Sequence, residues 1–254
     1  MTHTLRKQTS DHELEELCAK LDPARIPRHV AIMMDGNRRW AKRQNLPPIA
    51  GHWKGAETIS SLVTDAAEIG VRVLTVYSFS TENWNRSPDE IEGLMNLLKV
   101  YLQKEKPRMI KEGVRLNTIG DTSRFPKDVK EILEETKRET STGKKIDLVL
   151  ALNYGARDEI RRATLSIVDD VLNGKLEKSA ISEESISRYL DTANWKDPEL
   201  VIRTSGETRL SNFLLWQLSY AEIYITATLW PDFSKHDFLE ALIDYQNRQR
   251  RHGG

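Results

Sequence analysis

The sequence predicts an α/β fold in which a single domain holds a central parallel sheet of about six strands flanked by helices. Short apolar runs alternate with longer amphipathic stretches along the chain, which is the pattern of strand–helix–strand units. The apolar runs are nearly continuous, as is typical of strands covered on both faces. The 254 residues suit one large domain, and no internal repeat or low-complexity linker indicates a second one.

The strands are predicted from apolar runs that are bounded by polar or glycine-containing sequence. Their lengths, from five to nine residues, are typical of strands in globular proteins. In chain order they are His29–Met34, Val71–Phe79, Val114–Gly120, Ile146–Asn153, Leu200–Thr204 and Ile223–Thr228.

The helices are predicted from apolar residues that recur every three or four positions between the strands. They are Trp53–Ile69, Pro88–Lys111, Pro126–Thr140, Ala156–Leu172, Ser211–Tyr220 and Ser234–Arg251. The second helix begins at a capping box, because Ser87 is followed by proline and, three residues later, by Glu90. Pro107 is expected to bend or end this helix.

Composition and charge exclude several classes of protein. Lys and Arg together number 38, as do Asp and Glu, so the formal net charge of +0 argues against a general nucleic-acid binder. The one cysteine, Cys18, precludes an intrachain disulfide and fits a reducing cytosol. No apolar run approaches the ~20 residues that span a bilayer. Met1–Lys7 lacks the apolar core of a signal peptide, and a cytoplasmic protein is expected.

Polar residues follow the predicted strands at the edge where open parallel sheets bind ligands. The first strand runs into Asp35-Gly36-Asn37, where a glycine turn and a helix N-terminus offer backbone N–H groups to an anion. Asp35 is a lone carboxylate among phosphate-binding groups, which predicts a cation such as Mg²⁺ between it and the ligand. Five arginines after the first, second and fifth strands could converge on diphosphate groups by forked hydrogen bonds. They are Arg38, Arg39, Arg86, Arg203 and Arg209.

Each of these features also has an interpretation without chemistry. Arg38 and Arg39 fit a solvated helix face, and His52 fits a helix N-terminal residue. The apolar face of the long helix, from Ile91 to Leu102, fits either plain core or the wall of a lipid channel. The sequence lacks the phosphate-loop, dinucleotide and zinc-binding motifs, which disfavours ATP, nicotinamide and zinc chemistry.

Several long motifs stand, in order, at His29–Trp40, Gly51-His52, Tyr77–Arg86, Ile119–Phe125, Leu152–Arg157, Leu200–Asn212, Leu214–Glu222, Trp230–Phe233 and Arg250–Gly254. They resemble the cis-prenyltransferase family, specifically its bacterial undecaprenyl diphosphate synthases (isoprenyl transferases). The resemblance covers nearly the whole chain from about residue 27. It implies a single catalytic domain with the cis-prenyltransferase fold over residues 27–254, preceded by an N-terminal tail or helix over residues 1–26.

The resemblance implies a homodimeric, Mg²⁺-dependent transferase that condenses isopentenyl diphosphate onto farnesyl diphosphate with cis double bonds. The expected product is a long polyprenyl diphosphate, the lipid-carrier precursor of cell-wall glycans, released with peripheral contact at the inner face of the cell membrane. Asp35 and Asn83 match catalytic positions, and Asp35 and Glu222 match metal positions. Substrate-binding positions are matched by Gly36, Asn37, Arg38, Arg39, Trp40, His52, Ser80, Thr81, Glu82, Trp84, Arg86, Arg203, Arg209, Leu210 and Ser211.

Three of these assignments carry further expectations. Asn83 matches a proton-accepting position, but a neutral amide is a poor base and is expected to orient the substrate. Glu222 precedes the sixth strand, so it should lie at the opposite end of that strand from the polar cluster. Within the dimer, Glu222 and the Arg251-His252-Gly253 tail could each act across the interface.

The sequence departs from the family at Pro48, where members commonly carry an arginine. A contact to the allylic diphosphate is then missing unless Arg43 or Lys42 replaces it. Two rival functions stay open: a shorter-chain synthase of the same family, and a non-catalytic subunit of a prenyltransferase complex. Such subunits characteristically lose the aspartate or arginine motifs, which are present here.

Overall fold

The computed structural model describes residues 10–248, which fold around a six-stranded sheet whose strands are all parallel. The strand order is β3-β4-β2-β1-β5-β6, so β1 lies inside the sheet between β2 and β5. The predicted parallel sheet is therefore confirmed. The strands are β1 His29–Met33, β2 Val73–Ser80, β3 Val114–Ile119, β4 Ile146–Tyr154, β5 Leu200–Arg203 and β6 Glu222–Ile225.

Helices connect the strands and cover both faces of the sheet. Ser87 caps α4 as predicted, since its side chain accepts a hydrogen bond from the Glu90 N–H. No helix in the described range 10–248 combines the length and apolar composition needed to cross a bilayer. The helices are α1 Asp11–Ala19, α2 Asn37–Arg43, α3 Pro48–Ile69, α4 Pro88–Glu112, α5 Lys127–Thr140, α6 Ala156–Leu172, α7 Glu183–Tyr189 and α8 Lys235–Asn247.

The two faces of the sheet carry separate apolar cores, because alternate strand residues point to opposite sides. Val30 and Ile32 of β1 face the larger core, which α3, α4, α5 and α8 complete. Ala31 and Met33 face the smaller core with Phe213 and the residues that follow it. Burial on both sides explains why the strands are nearly continuous in apolar character.

The predicted helix Ser211–Tyr220 is wrong. The segment forms irregular turns, with left-handed backbone at Ser211, Asn212 and Leu214 (φ 44°, 63° and 45°). Left-handed residues interrupt the i→i−4 hydrogen bonds of a helix. Burial of Phe213 and Leu214 in the smaller core overrides the helical period of the sequence.

Pro107 does not end α4, which continues to Glu112. Pro107 lies on the exposed side of the helix, so the carbonyl left without its usual N–H partner can be hydrated. Ion pairs on either side support the last turns: Lys106 lies 2.6 Å from Glu135 of α5, and Arg108 lies 2.9 Å from Glu112.

The order of the strands fixes where a ligand can bind. From β1 the chain moves to β2 on one side, whereas β5 and β6 lie on the other side of β1. The connections leaving β1 and β5 therefore diverge, which opens a crevice at the carboxyl ends of these two strands. Asp35 follows β1 and Arg203 ends β5 at this crevice.

Candidate active site

Asp35 and Arg203 form an ion pair across the crevice. Met33 lies opposite Arg203 in the register of β1 and β5, so the residues that follow are neighbours. The Arg203 guanidinium nitrogen Nη2 lies 3.0 Å from Asp35 Oδ2. The Thr204 hydroxyl accepts a hydrogen bond from the Asp35 N–H at 2.8 Å and donates one to the Asp35 carbonyl oxygen, also at 2.8 Å. The aspartate is thus held by backbone as well as by charge.

Two glycines allow the chain to pack tightly beside Asp35. Gly36 adopts φ +107°, which L-residues rarely adopt, and an added Cβ would lie 2.9 Å from Leu229 Cδ2. The short helix α2 begins directly after it. At Gly51 an added Cβ would lie 2.0 Å from the Asn37 carbonyl oxygen, so only glycine lets α3 pack on the start of α2. This contact brings His52 to the crevice.

His52 is neutral at physiological pH. Burial is the largest cause, and repulsion by the nearby Arg86 and Arg38 adds to it, so the pKa of His52 is lowered to about 4. Its Nε2 lies 3.5 Å from the Arg86 guanidinium, which can only donate, and its Nδ1 lies 3.4 Å from the Asn37 amide nitrogen. A neutral imidazole can orient or donate to an anion without adding a charge.

Arginines that follow two strands, β1 and β5, lie around Asp35. Arg39 of α2 lies 3.4 Å from Asp35 and donates to Ser205 Oγ at 2.5 Å. Arg203 also donates to Ser211 Oγ at 3.1 Å and to the Arg209 carbonyl oxygen. Convergent guanidiniums of this kind suit phosphate oxygens, which they can bind in forked pairs.

The turn after β2 supplies the third side of the crevice. The Ser80 N–H donates to Asn83 Oδ1 at 3.1 Å, so the asparagine side chain closes this turn. Trp84 donates from its indole to Asn153 Oδ1 at 2.8 Å, and the Arg124 guanidinium lies 4.3 Å above its ring. Glu82 accepts from the Asn212 amide at 3.0 Å, which joins the β2 turn to the segment after β5.

An apolar cavity of about 90 Å³ opens beneath the crevice, between the sheet and the helices α3 and α4. Asn37 and His52 line its polar end. Leu94, Leu98 and Tyr101 line its α4 side, and Tyr101 lies about two helical turns beyond Leu94. A narrow apolar chain attached to a diphosphate could place the diphosphate at the arginines of the crevice and the chain in the apolar cavity.

The structure brings together most residues that the sequence nominated. Gly36, Asn37, Arg39, His52, Arg203, Arg209 and Ser211 lie around Asp35, and Ser80, Thr81, Glu82, Asn83, Trp84 and Arg86 form the adjoining turn. Arg38 lines a neighbouring open groove with Arg39, Lys42 and Pro48, whereas Arg43 is not part of its lining. Trp40 donates to Asp232 at 2.8 Å, and Leu210 packs against the smaller core.

Glu222 lies away from this cluster within the chain. It pairs with Leu200 at the amino-terminal end of β6, whereas Ile225 pairs with Arg203 at the crevice end. Its expected position at the opposite end of the strand is confirmed, and its carboxylate lies 2.9 Å from Arg248. The Arg251-His252-Gly253 tail lies outside the described residues.

Sequence reasoning missed several residues that hold the site. Glu90 pairs with Arg86 at 2.8 Å, and the four-residue spacing on a helix could have indicated it. Glu207 pairs with Arg39 at 3.0 Å, and Arg124 lies over Trp84. These two contacts join distant parts of the sequence, so no local sequence pattern predicts them.

Comparison with known proteins identifies the family. Residues 33–253 match the profile of a family described as putative undecaprenyl diphosphate synthase. The chain belongs to this family. An isoprenyl transferase of Agrobacterium fabrum is 47% identical over 228 residues, covering 90% of this chain and 92% of the relative. One from Aquifex pyrophilus is 48% identical over 229 residues, covering 90% and 96%.

Solved structures of the family share the fold. A lavandulyl diphosphate synthase from Lavandula x intermedia, in complex with dimethylallyl diphosphate, superposes with a TM-score of 0.89 and is 34% identical, covering 91% of this chain and 100% of that one. A probable undecaprenyl diphosphate synthase from Campylobacter jejuni gives 0.75 and 36%, covering 90% and 99%. The chain is therefore an enzyme of the isoprenyl transferase family, and the predicted fold class is that of its relatives.

Proposed function

We propose that this enzyme condenses isopentenyl diphosphate units onto farnesyl diphosphate with cis double bonds. The proposed product is a long-chain polyprenyl diphosphate, namely undecaprenyl diphosphate. The observation that carries this proposal is the meeting of two arginine groups, after β1 and after β5, at Asp35 above an apolar cavity. Two diphosphates and one growing chain would each have a matching surface there. The similar lavandulyl diphosphate synthase was solved with an allylic diphosphate.

The allylic diphosphate would bind at the start of α2. Asn37, Arg38 and Arg39 would hold its phosphates, and the neutral His52 would donate a hydrogen bond to them. As the bond between C1 and the diphosphate oxygen breaks, negative charge grows on the leaving group, and the guanidiniums stabilise it. The apolar chain would then point into the cavity below Asn37.

Isopentenyl diphosphate would be held after β5 by Arg203, Arg209 and Ser211. Its double bond would attack C1 of the allylic group, forming one carbon–carbon bond, and a proton would leave C2 of the isopentenyl unit. Holding both substrates in register removes much of the entropic barrier of a two-substrate reaction. Arg86 and Trp84 would help to place the reacting ends.

Asn83 would orient the substrates in this scheme, and a diphosphate oxygen would accept the proton. Two observations support this role: the amide is uncharged, and its Oδ1 already accepts from the Ser80 N–H at 3.1 Å. Ser80 and Thr81 would line the reaction centre from the same turn. Glu82 would keep that turn beside the segment after β5 through Asn212.

Asp35 would hold Mg²⁺ together with the allylic diphosphate. Among residues 10–248 no three His, Cys, Asp or Glu side chains form a metal-binding group. A single carboxylate nevertheless suits Mg²⁺, which keeps several waters and binds through one or two carboxylates and substrate phosphates. Asn37 Oδ1 is buried without a hydrogen-bond partner among the described residues, so a further oxygen is available beside the site. The cation would neutralise charge on the departing diphosphate.

A homodimer would form through the edge strand β6. Ile223 and Ile225 face outward there, 45% and 41% exposed, beside Tyr220, which is 84% exposed. Contiguous exposed apolar side chains on a sheet edge favour association. Glu222 would then serve as a second metal position, directed toward the partner subunit's site. The dimer would be cytoplasmic and would touch the membrane to release its product.

A shorter-chain product is the alternative that one observation favours. The cavity of about 90 Å³ is smaller than the pockets of about 300–1,000 Å³ that hold drug-sized ligands, and an undecaprenyl chain is larger still. The non-catalytic alternative has less support, because Asp35, Arg203 and Arg209 are all present. Arg203 contacts both the Asp35 carboxylate and the Arg209 carbonyl oxygen.

Incubation with farnesyl diphosphate, labelled isopentenyl diphosphate and Mg²⁺ tests the proposal. Label should enter the lipid extract, and chromatography of the dephosphorylated product should give its length. A ladder that stops before eleven isoprene units would support the shorter-chain alternative, and no extractable label would refute the proposed activity.

A further inference from the structure

Glu207 lies between the two arginine groups and contacts one member of each. Its Oε1 is 3.0 Å from Arg39, which follows β1, and its Oε2 accepts from Arg209, which follows β5. No other carboxylate within residues 10–248 joins these two arginines. The side chain is 27% exposed, so it can leave toward solvent.

The backbone fixes the position of this carboxylate. Ser205 and Gly206 are both left-handed, with φ of 69° and 73°. Their N–H groups donate to the carbonyl oxygens of Thr228 and Thr226, both at 2.8 Å. Arg39 in turn donates to the Ser205 carbonyl oxygen at 3.2 Å. The turn that presents Glu207 is therefore tied both to the segment that follows β6 and to α2.

The charges leave Glu207 in competition with any diphosphate that enters. Arg39, Arg203 and Arg209 face two carboxylates, Asp35 and Glu207. A diphosphate bound by Arg39 or by Arg209 would replace Glu207 as the partner of that guanidinium. A carboxylate that stayed between them would then repel the phosphate oxygens.

We infer that Glu207 couples the two diphosphate subsites, so that binding of one ligand favours binding of the other. The first diphosphate displaces the carboxylate from both arginines, because Glu207 spans them. The second ligand then meets an arginine whose partner has already left. The free-energy cost of displacement falls on whichever ligand binds first, and linkage requires the effect to be equal in both directions. Glu207 is a positioning residue in this scheme and takes no part in bond making.

This inference rests on the proposed pair of diphosphate subsites, and its test separates the two. A non-reacting thiolodiphosphate analogue of farnesyl diphosphate and isopentenyl diphosphate would be titrated with Mg²⁺, each alone and each in the presence of the other. In the wild type, each ligand should lower the Kd of the other by about threefold to tenfold, as expected for one or two partly exposed ion pairs.

Two substitutions distinguish bridging from general charge. Glu207→Gln should tighten each ligand alone by about threefold to tenfold and abolish the coupling. Glu207→Asp keeps the charge but is too short to span both arginines, so it should also lose the coupling. Glu131→Gln is the matched control, since it removes one carboxylate from an ion pair with Lys127 on α5 and contacts neither arginine group; its coupling should stay as in the wild type.

Three results would overturn the inference. Coupling that persists in Glu207→Gln would show that another group carries it. Binding of both ligands by the wild type without coupling would refute the inference and leave the proposed function standing. Binding of neither diphosphate by a folded wild-type protein would refute both.

Discussion

The Arg203 guanidinium lies 3.0 Å from the Asp35 carboxylate, across the pair of strands from which the chain diverges. Arg203 is only 5% exposed, and Asp35 compensates its buried charge. The same aspartate is the proposed Mg²⁺ ligand, so a substitution of Asp35 should change both the stability of the fold and the catalytic rate.

Asp35→Asn should lower kcat/KM by about 10²–10³-fold, because it removes the charge at the leaving-group end of the site. It should also lower the free energy of unfolding by about 1–3 kcal/mol, since Arg203 stays buried with a weaker partner. Steady-state kinetics and urea unfolding would measure both effects. Asp169→Asn, on the exposed side of α6, is the control; equal losses in the two variants would contradict this role.

Pro48→Arg should lower the KM for farnesyl diphosphate by roughly tenfold, because a guanidinium would join the groove that Arg38, Arg39 and Lys42 line. Pro48 is the first residue of α3, a position that tolerates arginine. Pro47→Arg, one residue before the helix, is the control. An unchanged KM in Pro48→Arg would mean that the missing family arginine does not matter here.

Tyr101→Ala should lengthen the product. Tyr101 also lines a small second cavity with Ser60, Glu105 and Arg108, so removal of its ring would join that cavity to the larger one. The change should lower the free energy of unfolding by about 3–5 kcal/mol. Product chromatography would compare it with Tyr101→Phe, which keeps the ring. If Tyr101→Phe alone shifted the ladder, or Tyr101→Ala left it unchanged, the ring would not limit chain length.

Acid should destabilise the protein through two buried histidines. Burial is the main cause that lowers the pKa of His29, as of His52, to about 4. Below pH 6.5 the unfolded chain binds protons that the folded chain does not bind until about pH 4, so stability is lost as pH falls through this window. Between pH 6.5 and 5 the loss should be about 2 kcal/mol per histidine.

Urea unfolding across that pH range would measure this dependence. His52→Asn should remove about half of the slope, because one of the two titrating groups is gone. A free energy of unfolding that stays constant from pH 7 to 5 would show that neither histidine is held neutral by burial.

Local patterns predicted the sheet well, because strands buried on both faces leave long apolar runs between polar ends. The rule that ligands bind at the carboxyl ends of parallel strands predicted a site at Asp35 and Arg203, which end or follow neighbouring strands. The segment 211–220 could not be predicted from its period, since Phe213 and Leu214 are buried by a backbone that tertiary contacts force into left-handed turns. Glu207 was missed for a similar reason: its pairing with Arg39 depends on the register of β1 and β5.

The central claim is that two diphosphates meet at Asp35, and a crystal structure tests it most directly. Crystals would be grown with Mg²⁺, isopentenyl diphosphate and the thiolodiphosphate analogue of farnesyl diphosphate. One diphosphate should contact Asn37 and Arg39, the other should contact Arg203 and Ser211, and the farnesyl chain should enter the cavity lined by Leu94 and Tyr101. Well-defined density for both ligands at any other part of the chain would contradict the account.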